Sequence, residues 1–162
     1  MNIKVNLLET ATGKLIEGEI SRLQRSEFRL ISNRTGFSGF DWRKEGDYEI
    51  YKVTLAGDER ILGLMSVEDI PHEFRLHIRL LQVNAENKGS NKKIDYIIGC
   101  LIALACDKAF KEFPYGGFVS LVPKTRLIKH YETKYGFQQF GRQMAVLGAI
   151  SRSLIKKYLK DV

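Results

Sequence analysis

The stretch FRLHIRLLQVNAENKGSNKKIDYIIGCLIALACDKAF (Phe74–Phe110) decides how the chain is read, because its periodicity changes along its length. In FRLHIRLLQV (Phe74–Val83), Phe74, Leu76, Ile78 and Leu80 fall on one face of an extended segment. His77, Arg79, Leu81 and Val83 fall on the other, which predicts a strand. NAENKGSNKK (Asn84–Lys93) is polar and contains Gly89, a break. In IDYIIGCLIALACDKAF (Ile94–Phe110), Ile94, Ile97, Ile98, Leu101, Ile102, Ala105 and Ala109 recur at helical spacing and form one stripe. Strand, glycine-containing loop and apolar helix, in that order, can turn the unpaired N–H groups of a helix start toward an anion. An ordinary βα unit with a solvated loop has the same pattern, and these residues alone leave both readings open.

At 162 residues, 44% of them apolar, the chain has the size and composition of one ordinary domain with a real core, and disorder is excluded. No apolar run reaches the roughly 18 residues of a membrane span. MNIKVNLLET has neither the apolar region nor the cleavage site of a signal peptide, so the cytoplasm is the expected compartment. Cys100 and Cys106 would point about 120° apart on the helix, which argues against a disulfide or a shared metal site. The net charge of +7 favours anionic partners. The basic residues are scattered, with modest clusters at Lys88–Lys93 and Arg152–Lys160, so a nucleic-acid partner is the less favoured reading.

Outward from the central stretch, IKVNLL (Ile3–Leu8) reads as a strand and Leu15–Ser32 as either a strand pair or a short helix. Asn33–Asp47, with three glycines and Trp42, reads as loop; Phe37–Phe40 and Trp42 either pack or line an acceptor pocket. YEIYKVTL (Tyr48–Leu55) and RILGLMSV (Arg60–Val67) form a predicted hairpin around Gly57–Asp58. After a break at EFPYGG (Glu112–Gly117), FVSLV (Phe118–Val122) is a short apolar strand. A helix is predicted over Leu127–Tyr135, capped by Thr125 and stopped at Gly136. Arg142–Leu147 reads as a last strand and residues 150–160 as a basic amphipathic helix. The expectation is a single domain over residues 1–162. It is α/β (or α+β), with a mixed sheet of about six to seven strands and helices on both faces.

This order of elements, with LLQVNAENKGSNKKIDYIIGCLIALACDKAF and LIKHYETKYGF (Leu127–Phe137), resembles the GNAT superfamily of acyl-CoA-dependent N-acetyltransferases over residues 48–147. FVSLVPKTRLIKHYETKYGF is similar to one bacterial subgroup. The resemblance implies acetyl-CoA as co-substrate, with no metal. Strand-end backbone at Leu81, Gln82 and Val83 would hold pantetheine, and a loop would supply amides to pyrophosphate. That loop, of the form Gln/Arg-x-x-Gly-x-Gly/Ala in the family, falls on Lys93-x-x-Tyr96-x-Ile98, which lacks both small residues, or on Lys88-Gly89. The implied cofactor residues are therefore Leu81, Gln82, Val83, Lys88, Gly89, Lys93, Ile97, Ile98, Gly99 and Cys100.

Acetyl transfer to an amine requires a deprotonated amine, a polarised thioester and a proton for the departing thiolate. Tyr131 matches the family's general acid, although a tyrosine packed on the core stripe has the same spacing. His77 stands where some members carry a catalytic glutamate; its ordinary pKa of about 6.5 suits a base, and an ordinary strand histidine is the alternative. Glu68, Asp69 and Glu73 flank the same strand. His72 and His130 lack partners at metal-ligand spacing. The expected activity is direct acetyl transfer to an amine. The acceptor is open: a small amine, an aminoacyl group, or a protein lysine or N-terminus. The alternative is a basic binding module that keeps the fold without the activity. The last helix could pair two copies, and the sequence does not fix the oligomeric state.

Overall fold

The computed structural model describes residues 2–161. Nine strands make one sheet: β1 (Ile3–Glu9), β2 (Lys14–Arg22), β3 (Glu49–Leu55), β4 (Gly63–Ile70), β5 (Arg75–Val83), β6 (Ile94–Asp95), β7 (Phe118–Leu121), β8 (Gln138–Phe140) and β9 (Gln143–Leu147). Three α-helices accompany them: α1 (Ile97–Glu112), α2 (Ile128–Tyr135) and α3 (Gly148–Tyr158). Across the sheet the order is β6-β1-β2-β3-β4-β5-β7-β9-β8, antiparallel throughout except for the β5–β7 pair that α1 connects. The expected six to seven strands fell short because β6 and β8, two and three residues long, are too brief for an alternation to show.

The uninterrupted alternation read into Phe74–Val83 is corrected by a bulge. The β4–β5 register passes from Ser66↔Leu80 to Val67↔Ile78 and leaves Arg79 without an opposite number. The extra residue reverses the phase. Leu76 and Ile78 face the main core, and past Arg79 it is Leu81 and Val83 that do so, while Leu80 faces the other side. Phe74, taken as the first strand residue, instead caps a one-turn 3-10 helix in the left-handed region (φ 55°).

The main core lies between one face of the sheet and α1, whose Leu101, Ile102 and Leu104 are fully buried. Burying side chains of this size contributes about 1.5–3 kcal/mol each. Tyr135 of α2 and Leu154 and Tyr158 of α3 join the same core. The opposite face is covered not by α-helices but by 3-10 turns within residues 25–45, around a smaller core of Leu23, Phe37, Trp42, Ile50, Ile61 and Leu64. That cover ends short of β7 and β9, where Phe118, Gln143 and Leu147 stay accessible while Ser120 and Ala145 between them are buried. No helix among the described residues is long and apolar enough to cross a membrane.

The first helix begins at Ile97, three residues later than its stripe suggested. Ile94–Asp95 instead add to β1 as β6, pairing with Leu8 and Glu9. Tyr96, at φ 77°, turns the chain from strand to helix in a conformation that costs a side-chain-bearing residue of order 1–3 kcal/mol. Asp95 Oδ1 accepts the Tyr96 N–H at 2.7 Å. The Tyr96 ring packs edge-on against Tyr158 at 5.1 Å.

Candidate active site

Beyond the bulge the sheet opens. The β5–β7 ladder ends at Ile78↔Leu121, whereas β5 runs on to Val83 paired only with β4. The edge of Arg79–Val83 that would have met β7 is left free, and Leu81 and Val83 rest against the core on the α1 face. The side chain of Gln82 is already engaged: it accepts from Trp42 Nε1 at 2.7 Å and donates to the Ser38 carbonyl at 2.6 Å. Trp42 and Phe37 are therefore packing residues that fasten residues 37–42 to β5, 2% and 4% exposed.

The free edge leads to the start of α1. The first amide of α1 with a backbone acceptor in the described chain is Cys100 N–H, bonded to the Tyr96 carbonyl at 2.9 Å. The N–H groups of Ile97, Ile98 and Gly99 are left without intrahelical acceptors, the ordinary condition of a helix start. Lysines from three segments converge there. Lys92 and Lys134 lie 3.5 and 3.8 Å from Asp95, and Lys157 Nζ stands 5.2 Å from the centre of the Tyr96 ring. His130, on α2, has its pKa pushed down by burial and by Lys134 and Lys92. Asp95 offsets part of this charge, and the three lysines still outnumber it; together with the amides of the helix start they make a donor set that suits an anionic ligand.

The residues read as cofactor-binding are thus dispersed. Ile97, Ile98 and Gly99 stand at the helix start. Cys100 is buried and its thiol donates to the Asn6 carbonyl at 3.3 Å. Gly99 is small for a reason internal to the fold, since a Cβ there would come within 2.3 Å of the Tyr158 ring. Lys93 lends its carbonyl to Thr10 N at 3.0 Å, and Lys88 and Gly89 stand exposed in the loop. Lys134 and Lys157 were not picked out by sequence reasoning: each is one cation on a basic helix, and no spacing reveals that two helices deliver them to one place.

Tyr131 lies on α2, which follows the open end of β7 after Pro123. Its ring packs against Tyr135 and Phe137, and burial raises its pKa, so the phenol keeps its proton at neutral pH. His77 faces the other side of the sheet. Its Nδ1 lies 2.8 Å from Ser120 Oγ and 3.2 Å from an Arg75 nitrogen, and the same guanidinium donates to Ser120 and to Gln143 Oε1. Burial and then Arg75 lower the His77 pKa. A nitrogen facing an arginine N–H acts as an acceptor, which places the imidazole proton on Nε2. Arg75, Ser120 and Gln143 were not singled out from sequence, although a serine inside FVSLV is a polar residue in an otherwise apolar strand.

No family model matches the chain, and no curated protein matches it by sequence. Solved structures match the fold. An acetyltransferase of the GNAT family from Bacillus anthracis is 14% identical, with a TM-score of 0.59, over 91% of this chain and 98% of that one. RimJ from Mycobacterium smegmatis, in complex with CoA-disulfide, is 11% identical with a TM-score of 0.63, over 98% and 96%. The ribosomal-protein-S5-alanine acetyltransferase of Vibrio fischeri is 11% identical with a TM-score of 0.56, over 82% and 93%. The chain therefore has the GNAT acetyltransferase fold.

Proposed function

We propose that the chain transfers an acetyl group from acetyl-CoA to an amine. The observation that carries this reading is the opening between β5 and β7 past Ile78↔Leu121, with a free strand edge that leads to a helix start flanked by lysines. Bound there, acetyl-CoA supplies the activated acyl group. Backbone at Leu81–Val83 aligns its pantetheine arm in the manner of an added strand. The amides of Ile97–Gly99, with Lys92, Lys134 and Lys157, receive its phosphates. Lys88, Gly89 and Lys93 form the outer part of the same loop. The amine lone pair forms a C–N bond to the thioester carbonyl carbon as the C–S bond breaks. Tyr131 donates its proton to the departing sulfur, and the surplus amine proton leaves to water. With Nδ1 occupied, His77 serves as a hydrogen-bond donor through Nε2 rather than as the base.

Titration calorimetry with acetyl-CoA, with CoA and ATP as comparisons, tests the first half. Micromolar affinity for acetyl-CoA is expected, weakened by Lys92→Ala and Lys134→Ala; no binding up to millimolar would overturn the reading. Tyr131→Phe tests the second half. Turnover should fall by roughly 10²-fold with acetyl-CoA affinity unchanged. Undiminished turnover, with chemistry rate-limiting, would remove Tyr131 from the mechanism.

A further inference from the structure

The outward face of β5, β7, β9 and β8 holds a groove of about 430 Å3. Apolar Phe118, Phe140, Ala145 and Leu147 line it, over a polar floor of the Glu73–Arg75 pair, Ser120 and Gln143. We propose that this groove receives the acceptor, and that the acceptor is a small primary amine with a compact aromatic or branched aliphatic body. The inference rests on the acetyl-transfer reading and adds to it the substrate class.

Register places the groove. Gln143 lies one residue past Met144, whose partner is Leu121, and Leu121 pairs with Ile78, the last residue of the closed ladder. The Gln143 end of the groove is thus level with the opening through which the acyl carbon would emerge. The other end lies at Leu147, paired with Phe118, which pairs with Arg75. Four residues of strand make that about 13 Å, longer than a small amine carrying one ring or one branched chain and so room enough for either.

Chemistry selects the occupant. Phe140 and Leu147 are 58% and 50% exposed, with nothing of the described chain over them, a large apolar outlay for a free surface. Arg75 is paired with Glu73 through Nε and Nη2, the latter at 3.1 Å, and its Nη1 faces Ser120, Gln143 and His77. The one cation and the one carboxylate of the lining are thus engaged with each other, which disfavours a phosphate, a carboxylate or a polyamine relative to an apolar body. A plain acyl chain fits less well, because it would cover the polar floor without hydrogen bonding to it.

The test uses 2-phenylethylamine and isoamylamine as probes and spermidine and glucosamine 6-phosphate as charged comparisons. Binding is read by calorimetry without any thioester, and transfer is read by thiol release from acetyl-CoA. The apolar amines should bind and be acetylated with kcat/KM about tenfold or more above the charged ones. Leu147→Glu, at a half-exposed position, should raise their KM by about tenfold and leave acetyl-CoA affinity unchanged. Ala145→Leu, which partly fills the groove, should act in the same direction. Equal use of charged amines, or an unchanged KM in both variants, would overturn the inference. So would a change of molecular mass in Leu147→Glu without any change in amine binding, which would make the face a self-association surface. Acetyl-CoA binding without amine binding would defeat the groove alone; amine binding without acetyl-CoA binding would defeat the acetyl-transfer reading alone.

Discussion

At the scale of the residue, His77 shows how neighbours redirect a side chain. A histidine on a central strand reads as a candidate base, and its partners bear on that role. Here Ser120 and Arg75 both address Nδ1, and burial and the arginine charge oppose protonation. A group whose folded pKa lies below its unfolded value contributes stability above the ordinary histidine value of about 6.5, and that stability is lost as pH falls through it. Thermal unfolding followed between about pH 5 and 8 should show a midpoint that drops on the acid side, and the drop should be shallower in His77→Gln. Parallel curves for the two proteins would mean that the imidazole is not held neutral by the fold. Glu45 shows the opposite balance. Burial pushes its carboxyl up, yet hydrogen bonds from Arg79 and Ser66 outweigh it and hold the group below the ordinary range.

Among the elements, α1 and the strands nearest it were the most legible, because long apolar periodicity survives most local detail. The stripe from Ile97 to Ala109 became the buried face of a 16-residue helix. Its beginning was not legible. A left-handed tyrosine at position 96 ends one element and begins another, and nothing in the composition of IDYII marks that change. The bulge at Arg79 was equally hidden, since FRLHIRLLQV alternates well enough in either phase. The candidate site suffered most, because it is assembled from a gap between strands, a helix start and two lysines from later helices. Gly99 tests the junction at which these meet. Gly99→Ala should destabilise the fold by about 1–3 kcal/mol, since the methyl group drives into the Tyr158 ring. Denaturant unfolding measures it, and Tyr158→Leu in the same chain should recover part of the loss. An alanine variant as stable as the parent would show that the ring yields freely.

For the whole molecule, part of the positive surplus has an address. Lys92, Lys134 and Lys157 gather at the start of α1, while the groove on the far side of the sheet is balanced by Glu73 and Arg75. The general excess of +7 thus favours an anionic ligand on one side without arguing for an anionic acceptor on the other. Salt should separate the two sides. Between about 50 and 300 mM salt, acetyl-CoA affinity should fall several-fold while affinity for an apolar amine stays level, because screening weakens only the charged site. Equal salt dependence of both would contradict this division.

The outer edge of β1 is closed by parts of the chain made much later. Leu8 and Glu9 pair with β6, the Asn6 carbonyl takes the Cys100 thiol, Val5 bridges to Leu159, and the Lys4 carbonyl takes the Lys160 amide. During synthesis that edge therefore waits, first for the segment around residue 95 and then for residues 159–160, which seat Tyr158 against Gly99 and Tyr96. The start of α1 gains its full packing only once Tyr158 is in place, so a shorter nascent chain has most of its strands but lacks the ring that backs Gly99 and Tyr96.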